Sequence, residues 1–288
     1  MTIRSALAAL ALQEDLNCLL TNRIPRRLAT QLVGRISRLE QPLVRDLSMW
    51  VWRLFTDLDL SDAMEPEFRS LHACFTRKLR DGARPIDRDG TVLTSPCDAI
   101  VGASGCVEGT TVYQAKGFPY TLRDLLRNVE LEAVHANGVY VTLRLTSAMY
   151  HRFHAPHDCR VENVMRISGD TWNVNPIALK RIERLFCRNE RAVIPTRLEA
   201  TDHAVTLVAI AAILVPGIRL PFVHEQCETV APSGNVIPCD ARFSKGQEMG
   251  WFEHGSTILI FAPSGFALCP GVREGCSVRM GEPLLRLA

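Results

Sequence analysis

The chain has 288 residues and a formal net charge of +2 at pH 7. This length is sufficient for one large domain or two modest ones, with ample material for a buried core. Because positive and negative charges nearly balance, the composition gives no reason to expect a nucleic-acid partner. The ten cysteines are scattered without a C-x-x-C pair, so neither a metal site nor a disulfide framework is expected, and a reducing compartment fits best.

The first seventy or so residues are predicted to be helical. One predicted helical face contains Leu43, Leu47, Trp50, Val51, Leu54, Phe55 and Leu58. Pro42 lies where a proline in the first turn of a helix is tolerated. Two interpretations of residues 1–65 stay open on composition. They form either a helical subdomain that packs its apolar face on the rest of the chain, or an amphipathic region that docks on anionic lipid through aromatic side chains and arginines.

No segment is predicted to be a signal peptide or to cross a membrane. The apolar run 6–12 is short and is followed by Glu14 and Asp15, which argues against a signal peptide. The most apolar stretch, 204–215, is shorter than the roughly 18 residues that a spanning helix needs. Since it is rich in β-branched residues, it is predicted to be a buried strand.

Short strand-like runs alternate with turns from residue 91 onward. They cover residues 91–93, 111–114, 139–145, 161–167, 192–198, 205–215 and 257–261, with short helices predicted at 121–127 and 176–186. Nucleotide-binding glycine motifs are absent from the sequence. The pattern predicts an α+β protein in which a helical region, 1–65, precedes a β-rich catalytic domain, 66–288, and argues against a doubly wound α/β fold.

A Gly-Ser peptide bond lies between two apolar, aromatic-rich runs near the C-terminus, at Gly255 and Ser256. The glycine leaves its carbonyl open to attack because no side chain shields it. The hydroxyl of Ser256 is the nearest nucleophile. The arrangement indicates a bond that the chain can cut with its own serine.

Such an attack needs a base and an acid that orients the base. His151 and His154 follow the predicted strand 139–145, and their spacing of three predicts that both imidazoles lie on one side of a helical turn. Asp98 interrupts a strand-like run. Each of these residues also has an ordinary interpretation, as a structural or surface histidine or as a turn or cap residue, and the residues by themselves leave the choice open.

Several separated motifs, in order, resemble those of the bacterial, membrane-associated, pyruvoyl-dependent phosphatidylserine decarboxylases. The resemblance runs from about Pro66 to the C-terminus. It is carried by Phe75-Thr-Arg77-Lys-Leu79, Arg84-Pro85-Ile86-Asp87, Ser95-Pro96-Cys97-Asp98, Gln114-Ala115-Lys116-Gly117, Tyr150-His151-Arg152-Phe153-His154, Phe186-Cys187-Arg188-Asn189-Glu190-Arg191, residues 245–256 and Arg279-Met280-Gly281-Glu282-Pro283.

The resemblance implies that Ser256 cuts the Gly255-Ser256 bond, with His154 as its base and Asp98 holding that imidazole. The bond becomes an ester, β-elimination follows, and hydrolysis with loss of ammonia leaves a covalent pyruvoyl group derived from Ser256. The large chain, 1–255, and the small chain, 256–288, then form a heterodimer, with a dimer of these heterodimers as an open alternative. Many members of the family have leucine where this chain has His254, so the identity of the base is less firmly implied than the nucleophile.

The implied reaction is the decarboxylation of phosphatidylserine to phosphatidylethanolamine through a Schiff base between the substrate amine and the pyruvoyl ketone, which accepts the electrons. His151 is the candidate for a role in this step. A substrate with two acyl chains resides in the bilayer. The resemblance therefore favours the second interpretation of residues 1–65, peripheral docking on an anionic surface at the cytoplasmic side of the bacterial inner membrane.

Two other functions fit parts of the pattern. A lipid hydrolase would keep Ser256 intact and use it with His154 and Asp98 on an external ester, although the chain lacks a G-x-S-x-G nucleophile elbow. A non-catalytic lipid-binding protein would need the histidines only for structure.

Overall fold

The computed structural model describes residues 26–113, 118–212, 217–223, 234–253 and 256–288. These residues form an α+β fold that is dominated by antiparallel sheets, so the predicted fold class is confirmed. The predicted helical character of residues 1–25, the motif at 114–117 and the pair His254 and Gly255 lie outside the described residues.

The described helices are fewer than the described strands. Within the described ranges they are α1 (Arg26–Ser37), α2 (Pro42–Phe55), α3 (Leu71–Phe75), α4 (Leu122–Leu126), α5 (Val129–His135), α6 (Pro176–Arg181) and α7 (Leu185–Arg188). The strands are β1 (Val92–Thr94), β2 (Ala99–Cys106), β3 (Thr111–Tyr113), β4 (Pro119–Thr121), β5 (Val139–Leu145), β6 (Arg152–His154), β7 (Cys159–Ile167), β8 (Arg191–Leu198), β9 (Ala204–Ala211), β10 (Ile218–Arg219), β11 (Asn235–Phe243), β12 (Glu248–Phe252), β13 (Ser256–Ala262), β14 (Phe266–Leu268), β15 (Ser277–Val278) and β16 (Pro283–Leu287).

The largest sheet has eight strands in the order β11-β7-β8-β9-β13-β5-β2-β15, and all neighbours are antiparallel. Strand β13 lies inside this sheet, between β9 and β5, and all seven of its residues are buried. Four consecutive large apolar residues, Ile258 to Phe261, are fully buried. Burial of each such side chain contributes about 1.5–3 kcal/mol. The strand that begins at Ser256 is therefore one of the best anchored parts of the fold.

A second sheet has the strand order β10-β12-β6, and its strand β12 is the last strand before β13 in the sequence. Strand β12 ends at Phe252, and β13 begins at Ser256. The three residues 253–255 thus connect two different sheets. A third sheet, β1-β16-β14, joins the C-terminal strand to the chain that precedes Asp98.

Helix α2 begins with Pro42 in the first turn, as predicted. Its apolar face is largely exposed among the described residues: Leu43, Leu47, Trp50 and Phe55 are all more than half exposed. The opposite side uses Met49 and Trp52 to pack against a small core of Ala63, Phe68 and Cys74. Helix α1 also exposes Leu28, Leu32 and Ile36. Among the described helices, none is long and apolar enough to cross a membrane.

Several predicted elements differ from the observed ones, and two of these differences have a direct physical reason. The single helix predicted at 176–186 is divided into α6 and α7, because Arg184 adopts a left-handed conformation that a right-handed helix cannot continue through. Strand β11 was not predicted. It contains Pro238, which a strand tolerates at the edge of a sheet, and β11 is such an edge.

Candidate active site

Ser256 is the first residue of β13 and is only 1% exposed. It lies opposite Leu145 of β5 and Ala211 of β9, so strand pairing holds its backbone on both sides. Its Oγ is buried and has no hydrogen-bond partner among the residues that the structure describes. A buried hydroxyl without a partner is uncommon and requires an explanation. The hydroxyl of Thr257 has the same character, so burial does not select Ser256; its position directly after Gly255 does.

His154 lies on β6 with its imidazole largely buried. Its Nδ1 is 2.9 Å from the carbonyl oxygen of Gly246, which can only accept, so Nδ1 carries the proton. Nε2 then accepts from the hydroxyl of Tyr150 at 3.0 Å. Burial lowers the pKa of His154, which favours the neutral imidazole. The side chain is therefore in the form that can accept a proton.

Asp98 precedes β2 and is 8% exposed. Its carboxylate accepts from Arg84 in a fork, at 2.9 Å from Nε to Oδ1 and 2.7 Å from Nη2 to Oδ2. The backbone N–H of Met280 donates a third hydrogen bond, at 2.9 Å. The Asp98 contact also contributes most to raising the pKa of the Arg84 guanidinium. Three hydrogen bonds therefore fix the orientation of the Asp98 carboxylate.

The structure brings the segments of Asp98 and His154 together without joining the two side chains. The backbone N–H of His154 donates to the carbonyl of Pro96 at 2.8 Å. None of the hydrogen bonds formed within the described part of the chain connects Asp98 to the imidazole, whose partners are instead Gly246 and Tyr150. The implied contact in which Asp98 holds His154 is thus not present in this arrangement.

A cleft of about 370 Å³ lies beside Asp98 and Tyr150. Its lining includes Asp98, Arg84, Tyr150 and Thr146. Thr146 directly follows Leu145, the residue opposite Ser256 in the sheet. The cleft therefore extends from the Asp98–Arg84 pair past Tyr150 to Thr146, one residue beyond the strand neighbour of Ser256, and its lining includes neither His154 nor Ser256.

The prediction that His151 and His154 lie on one side of a helical turn is wrong. Residues 152–154 form strand β6, and in an extended chain residues three apart face opposite sides. His151 is fully buried, and its ring lies 3.8 Å from the ring of Phe75, centroid to centroid. Its Nδ1 donates to the carbonyl of Met149 at 2.8 Å, and its own carbonyl accepts from the N–H of Phe252 at 3.0 Å. His151 is thereby fixed to the strand that leads into the Gly255-Ser256 bond.

Glu253 lies two residues before Gly255 and is 5% exposed. Its carboxylate contacts Arg38 Nη2 at 2.6 Å and Arg219 Nε at 3.0 Å. Sequence reasoning assigned no role to Glu253 or to Tyr150. The signals available were an acid directly beside the Gly-Ser bond and a tyrosine four residues before His154. Neither signal specifies the partners: Tyr150 contacts His154 four residues away, whereas Glu253 contacts Arg38 and Arg219 from other parts of the chain.

Two further resembling motifs make contacts that support the site. In the motif at 186–191, Asn189 and Arg191 are almost completely buried. Within the described structure, the hydrogen bonds of the Arg191 side chain all go to backbone carbonyls, including those of Leu125 and Cys187. Burial lowers the pKa of Arg191 to about 10. Asn189 donates to the carbonyl of Ala211, the residue opposite Ser256. This motif therefore supports the strand beside Ser256.

The motif at 279–283 clamps the chain around Asp98. Besides the bond from Met280, the N–H of Gly281 donates to Ser95 O at 3.0 Å, and the N–H of Ser95 donates to Glu282 O at 2.7 Å. Gly281 has a φ of +90°, and a side chain there would collide with the carbonyl of Pro85. Glycine is required at this position for both reasons.

Groups of three or more His, Cys, Asp or Glu side chains that could hold a metal ion are not found in the described ranges. Four of the eight free cysteines in these ranges are buried. Burial raises the pKa of the Cys74 and Cys187 thiols to about 11 each. They are protonated near neutral pH and are poor nucleophiles.

Comparison with known proteins decides the family. The family model described as phosphatidylserine decarboxylase matches residues 71–286. The chain belongs to this family. A phosphatidylserine decarboxylase proenzyme of Halorhodospira halophila (strain DSM 244 / SL1) is 36% identical over 270 residues, which cover 92% of this chain and 91% of that protein. The proenzyme of Anaeromyxobacter sp. (strain K) is 35% identical over 270 residues, covering 91% and 94%, and that of Aliivibrio fischeri (strain MJ11) is 31% identical over 278 residues, covering 91% and 95%.

These matches confirm the resemblance deduced from the motifs and, with it, the expected class of function, an enzyme of the decarboxylase type. The relatives carry the name proenzyme, which describes a precursor that is processed. The roles of Asp98, His151, His154 and Ser256 in this chain stay predictions.

Proposed function

We propose that this member of the phosphatidylserine decarboxylase family cuts itself between Gly255 and Ser256 and then decarboxylates phosphatidylserine to phosphatidylethanolamine. The observation that carries the proposal is the buried hydroxyl of Ser256, which has no partner in the described part of the structure. It stands at the head of the central strand, directly after a glycine. The family, with its proenzyme relatives, supports the same chemistry.

The first step transfers the Gly255 acyl group from nitrogen to oxygen. Ser256 Oγ bonds to the Gly255 carbonyl carbon, the amide C–N bond breaks, and the nitrogen takes a proton. Neutral His154 is the proposed base, supported by the tautomer that its bond to Gly246 sets. Because Tyr150 donates to the basic nitrogen, a proton leaving Ser256 must pass through that hydroxyl or arrive after it has turned away.

The second step removes the Ser256 α-proton and expels the Gly255 carboxylate from Cβ, which leaves a dehydroalanine. Water then replaces its nitrogen, ammonia departs, and a pyruvoyl group remains at the start of the small chain, 256–288. The site fits this group, since it derives from a side chain that is already buried and unpaired within the described structure. A pyruvoyl group supplies a ketone that accepts the electron pair released as the carboxyl group leaves.

Asp98 is proposed to act in self-cleavage through the electrostatic effect of its carboxylate. Its carboxylate is held by Arg84 and Met280, and it faces the cleft beside Tyr150. A fixed negative charge there stabilises a His154 imidazolium as the proton arrives. Direct contact with the imidazole is not required for this electrostatic effect.

His151 is the proposed proton donor or acceptor in decarboxylation. Its bond to Met149 sets the proton on Nδ1, and its backbone bond to Phe252 attaches it to the strand that precedes the cleavage segment. Both contacts orient the ring. The ring of Phe75 covers one face and limits its rotation.

The two chains produced by cleavage are proposed to stay together as a heterodimer. Strand β13 of the small chain pairs with β5 and β9 of the large chain, and β16 pairs with β1. The bonds between residues 279–283 and the Asp98 segment also cross between the chains. Cutting one peptide bond removes none of these contacts.

Residues 1–65 are proposed to dock on an anionic membrane surface, at the cytoplasmic side of the bacterial inner membrane, while residues 66–288 carry the catalysis. The support is the exposed apolar faces of α1 and α2. Aromatic side chains such as Trp50 are favoured at headgroup depth. Nearby arginines add about 1 kcal/mol each on an anionic surface.

Intact-mass measurement of the purified protein tests the proposal. Two polypeptides are expected, one ending at Gly255 and one beginning at residue 256 with a blocked, ketone-bearing N-terminus, together with CO2 release from phosphatidylserine vesicles. A single chain with an ordinary serine would contradict it. Ester hydrolysis by that single chain would then indicate a lipid hydrolase, and its absence a non-catalytic lipid-binding protein.

A further inference from the structure

The two sides of the Gly255-Ser256 bond are attached to the fold in different ways. Downstream, Ser256 is held by backbone pairing to two strands. Upstream, strand pairing ends at Phe252, and the side chain of Glu253 makes the next strong contacts. The backbone N–H of Glu253 adds a long bond, 3.4 Å, to the carbonyl of Gly217.

The contacts of Glu253 come from two remote parts of the chain. Arg38 directly follows α1 and is 215 residues away in sequence, whereas Arg219 belongs to β10. The Glu253 side chain is 6% exposed, and those of Arg38 and Arg219 are 42% and 48% exposed. A buried carboxylate is stable only when it is paired, so the position of Glu253 depends on the two guanidinium groups.

We propose that the Arg38–Glu253–Arg219 bridge is a positioning device for self-cleavage, which holds the upstream side of the scissile bond so that the Gly255 carbonyl carbon meets Ser256 Oγ. This inference rests on the proposed function. The bridge lies at one end of a three-residue connector, 253–255, and the strand pairing of β13 lies at the other. Attack within a chain is fast only when the reacting atoms are held close and aligned.

The bridge also makes the N-terminal helical region part of the cleavage apparatus. Arg38 lies at the end of the helix whose apolar side chains Leu32 and Ile36 are exposed. A displacement of α1 therefore moves one of the two guanidinium groups that pair with the Glu253 carboxylate. The contacts described for the Glu253 carboxylate are to Arg38 and Arg219, and it is proposed to act through the connector, so it is a positioning residue.

The test follows self-cleavage of the full chain over time after cell-free synthesis, by separating precursor from products on a gel. Glu253→Gln keeps the shape of the side chain and removes its charge. We expect its cleavage half-time to lengthen at least tenfold. Arg38→Met and Arg219→Met are each expected to slow cleavage, whereas Arg219→Lys, which keeps the charge, stays near the wild-type rate.

Glu132→Gln is the matched control, because Glu132 is also a mostly buried carboxylate paired with an arginine, Arg123, but lies on α5. It is expected to cleave at the wild-type rate. Hydroxylamine then identifies the affected step, since it splits esters and leaves amides intact. If the bridge positions the attack on the amide, hydroxylamine does not restore two chains from Glu253→Gln.

Wild-type cleavage rates in Glu253→Gln, or restoration of two chains by hydroxylamine, would overturn the inference. If thermal melting shows that Glu253→Gln does not fold, the two arginine variants provide the test. Equal cleavage rates in Arg38→Met, Arg219→Met and the wild type would then overturn the inference. A wild-type chain that never divides contradicts the proposed function instead, which separates the two failures.

Discussion

Strand β13 and helix α2 are both rich in large apolar residues, yet the fold treats them in opposite ways. All seven residues of β13 are buried, whereas α2 has no fully buried residue within the described structure and exposes Leu43, Leu47 and Trp50 by more than half. The apolar side chains of β13 build the core that holds Ser256. Those of α2 are available to a surface outside the protein.

This difference divides the protein by task. Chemistry that needs atoms held within a fraction of an ångström is placed on a rigid central strand. Under the proposed function, recognition of a bilayer, which has no fixed atomic positions, falls to the exposed apolar face of α2. The predictions below test each side of this division, from the largest expected effect to the smallest.

Ser256→Ala removes the proposed nucleophile from the head of β13. We expect an uncut precursor of 288 residues without decarboxylase activity, measured by intact mass and by CO2 release. Thr257→Val is the matched control, since it removes an equally buried hydroxyl one residue later, and it should still give two chains. Two chains from Ser256→Ala would show that the nucleophile is another residue.

His154→Gln removes the proposed base and keeps a polar side chain of similar reach. Loss of general-base assistance is expected to slow self-cleavage by about 10²- to 10⁴-fold. Tyr150→Phe, which frees Nε2 of His154 from its hydrogen bond, distinguishes the two routes for the proton. Slower cleavage indicates a relay through the hydroxyl, and faster cleavage indicates that the hydroxyl blocks the base. Unchanged cleavage in His154→Gln would show that another residue is the base.

The exposed face of α2 is tested with Leu43→Ser, Leu47→Ser and Trp50→Ser combined. Loss of this apolar area is expected to reduce sedimentation with anionic vesicles by tenfold or more, with self-cleavage retained. Val129→Ser and Val236→Ser, which alter exposed apolar residues of the β-rich body, provide the control and should leave sedimentation unchanged. Equal binding by all variants would place the membrane surface on another part of the protein.

The smallest effect concerns the stability of the body at low pH. His135 is fully buried against Thr206 of β9, and burial lowers the pKa of His135 to about 4. Because the unfolded chain takes up this proton near pH 6.5, stability is lost as the pH falls from about 6.5 through about 4, by on the order of 3 kcal/mol.

Urea unfolding at several pH values measures this loss, with His135→Gln as the comparison. The variant is expected to be less stable at pH 7 but to lose less stability between pH 7 and pH 4. An equally steep loss in the variant would assign the pH dependence to other groups.

Much of the fold was predictable from local patterns. The strand at 139–145 was predicted with the observed bounds, because its continuous apolar run fits a strand with both faces covered. Helix α2 was predicted from its 3.6-residue period and from Pro42. The separation of α6 from α7 was not predictable, since the left-handed conformation of Arg184 has no compositional signal.

The candidate site was predictable as a set of residues but not as an arrangement. Ser256, His154 and Asp98 were identified from motifs, and in the structure a backbone hydrogen bond from His154 to Pro96 joins the segments of His154 and Asp98. The partner of Asp98 is Arg84 rather than His154, and His151 faces away from His154 because β6 is a strand. Such pairings depend on which remote segments meet, and spacing along the chain does not encode that.

The amino-acid sequence by itself determined the family, the Gly-Ser bond and the types of side chain that could cut this bond. These features could be identified because a motif is defined by the order of residues along the chain. The tertiary structure alone decided that Ser256 heads a central buried strand, that Tyr150 binds the basic nitrogen of His154, and that Arg38 and Arg219 bridge Glu253. Burial and ion pairing act through space, so they emerge only when residues hundreds of positions apart are folded against one another.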